Sequence, residues 1–261
     1  MKPKVDFIRV GDRKTQVTWG GDGPPLLYLH SAGGETEWMP FHEQLAQRFT
    51  VYVPAHPGFA LSEGLDTIHD IQDLAWHYVD LHRALQLPER MPVVGFSLGA
   101  WLALEVAVLR PALFSRLVLT AAAGLHLDEA PIAELFVEDF DELKPLLFYA
   151  PQGPNVSLAL PDGYDDPRML MLLRAREATA RVGWNPYLHD PKLKQHLHRV
   201  EQPALVLWGR HDRLIPLSHG EYYAAHLPAA QLKVFDDCGH MVPFEQPDAF
   251  CQEVATFLTE A

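Results

Sequence analysis

The sequence predicts an α/β fold built on a mostly parallel, doubly wound sheet. Three observations carry the prediction. Short runs such as 26–29 and 204–208 are apolar at every position. They alternate with segments of helical periodicity. Between residues 124 and 202 the alternation lapses and only helical pattern remains. A run that is apolar throughout suits a strand buried on both faces, as in a parallel sheet. Strands alternating with helices then imply right-handed crossovers. With 261 residues, 48% of them hydrophobic and 21% charged, the chain can bury a sizeable core.

The elements follow in order. Residues 5–10 and 15–19 read as two strands around the turn signal Gly11-Asp12. The apolar run 26–29 is the next strand and ends in His30-Ser31-Ala32-Gly33-Gly34. A helix is expected near 40–48 and a strand at 51–53, closed by Pro54-Ala55-His56-Pro57-Gly58. Helical spacing of Ile71, Leu74, Ala75, Tyr78, Val79 and Leu85 predicts a helix over 68–85, with Thr67 as N-cap and Asp70 completing a capping box. A strand at 91–94, a helix at 100–109 closed by Pro111, and a strand at 117–119 come next. The segment 124–202 shows helical periodicity at 132–149 and 169–182, separated by a Pro-, Gly- and Asp-rich stretch. The strand rhythm returns at 204–208 and 232–235, and the last helix is expected at 248–258. The division is therefore a core domain of 1–123 and 203–261, with 124–202 inserted as a helical cap or lid.

Composition excludes several functions. A formal charge of −13 repels phosphate backbones, and the Lys and Arg residues form no local basic patch, so no nucleic-acid partner is expected. Two cysteines, Cys238 and Cys251, do not make a disulfide framework. No stretch reaches the ~18 apolar residues of a membrane span, and the first residues lack the apolar region of a signal peptide. No membrane partner and a cytoplasmic location are the corresponding expectations. No metal-binding or nucleotide-binding motif occurs, so neither a metal nor a cofactor is expected. His196 and His198, two apart in a helical stretch, do not share a face.

Gly95-Phe96-Ser97-Leu98-Gly99 fits G-x-S-x-G directly after a strand and directly before a helix, the context that motif needs. A nucleophile on so tight a turn takes strained backbone angles, and its oxygen is exposed at the end of the sheet near a helix N-terminus. A serine hydroxyl needs a base. Of 14 histidines, position selects His240, just past the last strand. The base needs a carboxylate to fix its tautomer. Asp212, past the strand ending at Trp208, gives the chain order Ser, Asp, His; Asp236 and Asp237 are rivals in the His240 loop. Acyl transfer also needs backbone donors for an oxyanion. The N–H groups of Leu98 and Ala32 are the candidates.

Together, the loop 29–34, the segment Pro57-Gly58-Phe59-Ala60-Leu61-Ser62, the pentapeptide 95–99, the segment 208–216 and Cys238-Gly239-His240 resemble the α/β-hydrolase superfamily with a helical cap. That resemblance implies the α/β-hydrolase fold and a serine hydrolase. Two positions depart from the usual pattern: Ser31 stands where the superfamily usually has glycine, and Ala55-His56 where an aspartate often precedes the Pro-Gly turn. A serine nucleophile also separates this chain from the haloalkane dehalogenases and epoxide hydrolases, which use aspartate. The leading expectation is hydrolysis of small to medium, mainly apolar carboxylic esters, with a small-molecule ester-like substrate as partner. A lactone or carbon–carbon bond is the alternative for the same triad, and a receptor-like protein with little turnover is a third. Phe136, Phe140, Leu147, Phe148, Met169, Leu172 and Trp184 are the candidate pocket residues. The pattern leaves the oligomeric state open.

Overall fold

Eight strands form one sheet in the order β1-β2-β4-β3-β5-β6-β7-β8. A computed structural model describes residues 2–259. The strands are β1 (Lys4–Val10), β2 (Arg13–Gly20), β3 (Pro25–Leu29), β4 (Thr50–Pro54), β5 (Met91–Phe96), β6 (Phe114–Thr120), β7 (Ala204–Gly209) and β8 (Ala230–Phe235). β1 pairs β2 and β2 pairs β4 antiparallel; every other pairing is parallel. The helices are α1 (Pro40–Leu45), α2 (Ile71–Ala84), α3 (Leu98–Leu109), α4 (Phe140–Leu147), α5 (Val156–Ala159), α6 (Met169–Gly183), α7 (Leu193–His196), α8 (Leu217–His226), α9 (Val242–Glu245) and α10 (Pro247–Thr259).

Burial explains the patterns. All six residues of β7 are buried, so that strand carries no polar alternation. α3 is buried from Leu98 to Ala107 and, Glu105 apart, is accordingly apolar on every side, as a helix packed all round is expected to be. Parallel strands send their C-terminal ends, and the loops after them, to one edge of the sheet. β3, β5, β6 and β7 lie side by side, and β8 follows β7. The loops carrying Ala32, Ser97, Asp212 and His240 therefore gather at that edge.

Some boundaries differ from expectation. α2 begins at Ile71, and its N-cap is Asp70, whose side chain accepts from the Asp73 N–H at 2.9 Å. Thr67 instead ends a separate short turn, its hydroxyl donating to Gly64 O. A carboxylate one residue before the helix outcompetes a hydroxyl four residues before it. The periodicity at 132–149 yields a helix only over Phe140–Leu147. Upstream, tertiary partners take the backbone: Ala133 N–H donates to Leu214 O and Leu135 N–H to Tyr187 Oη. α8 has little apolar periodicity, and Gly220 at its centre lies against Trp208, where a Cβ would meet the ring at 2.7 Å.

Between β6 and β7 the described chain adds no strand to the sheet and carries α4 to α7. The two ends of this insertion are tied together: Gly124 N–H donates to Leu188 O and Asp190 N–H to Gly124 O. The insertion also grips the core, with Leu147 O accepting the N–H groups of both His240 and Met241. Among the described residues no helix is long and apolar enough to cross a membrane.

Candidate active site

The turn after β5 sets Ser97 at φ 54° and ψ −110°, a left-handed conformation that costs a non-glycine residue ~1–3 kcal/mol. The surroundings hold it there: Ser97 N–H donates to Thr120 O, and Ser97 O accepts from the N–H groups of Ala100, Trp101 and Ala123. The flanking glycines permit close approach. A Cβ on Gly95 would fall 2.5 Å from the Ala100 Cα, and one on Gly99 would fall 2.0 Å from Leu29 O. Neither glycine is at positive φ, so packing of α3 against β5 and β3 demands them, not backbone freedom.

His240 Nε2 lies 3.0 Å from Ser97 Oγ, and His240 Nδ1 lies 2.8 Å from Asp212 Oδ2. The partners fix the tautomer: Nδ1–H donates to the carboxylate, and Nε2 accepts from the serine hydroxyl. The other oxygen, Asp212 Oδ1, accepts from the N–H groups of Leu214 and Ile215 at 3.0 and 2.8 Å. Three N–H donors thus hold this buried carboxylate in place. Neither rival approaches the ring. Asp236 pairs with Arg210, which holds its carboxyl below the usual range, and Asp237 interacts with Tyr149. The two loops meet because Gly209 has no side chain; a Cβ there would lie 2.0 Å from Gly239 O.

The loop after β3 is tied at nearly every polar group. His30 Nδ1–H donates to Ser31 O at 2.8 Å, and His30 Nε2 accepts the His56 N–H at 3.0 Å. His56 Nε2–H returns a bond to His30 O at 3.0 Å, and Tyr78 Oη–H donates to His56 Nδ1. Burial lowers both histidines, His30 to about 4, so both are neutral near pH 7. This is what His56 does where an aspartate is usual: it links the Pro57-Gly58 turn to the His30 loop without a buried charge. Ser31 donates its N–H and its hydroxyl to the two oxygens of Glu35. Gly33 N–H donates to Ser31 Oγ and Gly34 N–H to Ser31 O. Within this turn the Ala32 N–H has no acceptor among the described residues.

Ser97, His240 and Ala32 line one cavity of about 550 Å³, counting its open mouth. Of the expected pocket residues, Phe136, Leu147 and Leu172 line it. Phe140, Phe148, Met169 and Trp184 do not. Phe140 is buried within the insertion with its ring against Tyr164. Phe148 is in the main core, Met169 lies a turn before Leu172, and Trp184 is 62% exposed, its ring against that of Phe136. Periodicity identifies an apolar face but not which stretch of it spans a cavity. Also lining the cavity, and not anticipated, are Leu143, Leu160, Leu214, Glu35, Arg176 and Thr179. Leu143 carries an ordinary helical apolar signal, whereas Leu160 follows the short α5 in the Pro-, Gly- and Asp-rich stretch, where no periodicity marks it. Glu35, Arg176 and Thr179 are polar residues in stretches whose sequence gives no sign of what they face.

The chain matches the model of the alpha/beta hydrolase family over residues 23–253, and it belongs to that family. It is 28% identical, over 88% of its length and 94% of the relative's, to a pimeloyl-[acyl-carrier protein] methyl ester esterase of Nitrosomonas europaea. It is also 28% identical to a 2-hydroxymuconate semialdehyde hydrolase of Pseudomonas sp. strain CF600, over 98% of this chain and 94% of that one. Among solved structures, the 2-hydroxy-6-oxo-6-phenylhexa-2,4-dienoate hydrolase of Rhodococcus sp. strain RHA1 matches with a TM-score of 0.81. There the identity is 24%, with 99% of both chains covered; this likeness shows the fold. Family membership supports hydrolase chemistry.

Proposed function

We propose that the protein is a serine hydrolase that cleaves carboxylic esters of small to medium, mainly apolar acyl groups through an acyl-enzyme. The observation that carries this reading is the unbroken chain Asp212–His240–Ser97, with contacts of 2.8 and 3.0 Å, ending on a strained serine at the wall of a cavity. Ser97 Oγ attacks the ester carbonyl while its proton passes to His240 Nε2. Asp212 stabilises the imidazolium. The N–H groups of Leu98 and Ala32 receive the oxyanion, helped by the N-terminus of α3. The alkoxide leaves with the proton from His240 Nε2. Water, deprotonated by the same nitrogen, then releases the acid and restores Ser97.

A fluorophosphonate probe followed by peptide mass spectrometry tests the assignment. Labelling is expected on Ser97 and is expected to fall sharply in His240→Ala. A probe that labels neither protein, together with no turnover of p-nitrophenyl esters, rejects the reading.

A second reading, cleavage of a lactone or carbon–carbon bond in an acid-bearing substrate, is favoured by one feature of the cavity. Arg176 and Thr179 lie one turn apart on α6 and both line it. Arg176 is half-buried, with its pKa lowered by burial, and among the described residues it makes no hydrogen bond or ion pair. Thr179 Oγ1 is buried without a partner. Two unpaired donors in an apolar cavity suit a carboxylate. The Rhodococcus protein is named for a dienoate, which agrees with such a substrate. Comparing neutral esters with acid-terminated esters of equal length separates the readings: preference for the acid, lost in Arg176→Gln, supports the second.

A further inference from the structure

We propose that Glu35 is a positioning residue that aims the oxyanion-binding N–H of Ala32 by clamping Ser31; this rests on the acyl-enzyme reading above. The placement of one amide donor to within a fraction of an ångström governs how much it stabilises a tetrahedral oxyanion. The loop that presents Ala32 runs into Gly33 and Gly34, residues that confer conformational freedom. Something must remove that freedom.

Ser31 is the point at which it is removed, because each of its polar groups is committed. Its N–H donates to Glu35 Oε2 at 2.9 Å, and its hydroxyl donates to Glu35 Oε1 at 2.6 Å. The same hydroxyl oxygen accepts the Gly33 N–H at 2.9 Å. Its carbonyl accepts from His30 Nδ1–H and from Gly34 N–H. The amides on either side of Ala32 are thus both fixed, that of Ser31 directly by Glu35 and that of Gly33 through the hydroxyl Glu35 holds. Only the Ala32 N–H is left for a ligand. The carboxylate takes up both Ser31 donors and so does not compete for it.

Two further features set Glu35 apart from an ordinary anchor. It is 4% exposed and lines the same cavity as Ser97 and Ala32, so its carboxyl is held at the site and not at the surface. Gly33 also fits the clamp: a Cβ there would stand 2.7 Å from Glu35 Oε1 and 3.3 Å from Ser31 Oγ. Gly33 is not at positive φ, so the clamp rather than the backbone excludes a side chain.

The test is ester turnover by the full chain and its Glu35→Ala, Glu35→Gln, Ser31→Ala and doubly substituted Ser31→Ala/Glu35→Ala variants, with melting temperatures measured alongside. Glu35→Ala is expected to lower kcat by about 100-fold, the cost of misplacing a donor by ~1 Å, with KM changed less than about twofold. Glu35→Gln keeps an acceptor for one Ser31 donor and is expected to recover to within about tenfold of the parent. The double variant is expected to lose no more than the worse single variant, since both act through one link. Gly33→Ala, which displaces the carboxyl without removing it, gives a second and independent loss in kcat should Glu35→Ala fail to fold. A folded Glu35→Ala with the parent's kcat overturns the inference, as do losses confined to KM or losses in which Gln fares no better than Ala. A parent chain that neither turns over esters nor is labelled at Ser97 overturns the acyl-enzyme reading, and the inference with it. Labelling of the parent with an indifferent Glu35 overturns the inference alone.

Discussion

Ser97 and Asp212 work through different kinds of constraint, and their variants should separate them. Ser97 holds a strained backbone so that its hydroxyl meets His240 Nε2 at 3.0 Å. Ser97→Ala removes the proposed nucleophile and should lower kcat by several orders of magnitude, on the order of the 10⁶ seen when a serine protease loses its serine; unchanged p-nitrophenyl ester turnover would contradict the assignment. Asp212→Asn keeps the shape but offers an amide where His240 Nδ1–H needs an acceptor. A loss of about 10⁴ in kcat with little change in melting temperature is the expected outcome. At this scale the sequence is informative because the chemistry demands particular side chains: serine after β5, aspartate after β7, histidine after β8. It is silent on Arg176 and Thr179, which stand out only because they line the cavity without a hydrogen-bond partner among the described residues.

At the scale of elements, close approach matters more than propensity. α3 can reach β3 only because Gly99 brings no Cβ to within 2.0 Å of Leu29 O. The atom it would strike is backbone, which has nowhere to go. Gly99→Ala should therefore cost at least the ~1–3 kcal/mol of ordinary overpacking, lowering the melting temperature by roughly 5 °C or more; an unchanged melt would show that α3 can shift. α6 presents Leu172 to the cavity with Phe136 and Leu147 from the segment before it. Leu172→Ala should shift the preferred p-nitrophenyl acyl chain to longer lengths, and an unaltered chain-length profile would remove Leu172 from the acyl wall. The core strands were legible as apolar runs because burial on both faces leaves no polar alternation. α8 was not, because Gly220 and its polar neighbours give no stripe, and the helix between 132 and 139 did not form because Leu214 O and Tyr187 Oη claim its backbone.

Across the whole molecule, buried histidines should shape stability against pH. Burial lowers His30 and His77 to about 4, His42 to about 3, and His56 as well. Each therefore binds a proton more readily unfolded than folded between its folded value and the ordinary 6.5, and stability present above 6.5 is lost as pH falls. At 1.36 kcal/mol per unit, His30 alone contributes about 2 kcal/mol between pH 6.5 and 5. Glu35, raised by burial, and Glu105, pushed up to about 7 by burial between Trp101 and Gln72, act in the opposite sense. The histidines outnumber them, so the urea midpoint should be lower at pH 5 than at pH 7.5. A higher midpoint at pH 5 would show that the two carboxylates prevail.

The sequence by itself determined the α/β alternation, the interruption between β6 and β7, and the order of Ser97, Asp212 and His240, because strand burial and nucleophilic chemistry each restrict which residue types can stand at a position. Only the tertiary structure decided which apolar residues border the cavity and how Ser31, Glu35 and His56 brace the loop that carries Ala32. Those outcomes depend on distances between segments far apart in the chain. A periodicity records which way a side chain faces, but not which neighbour packing brings to it.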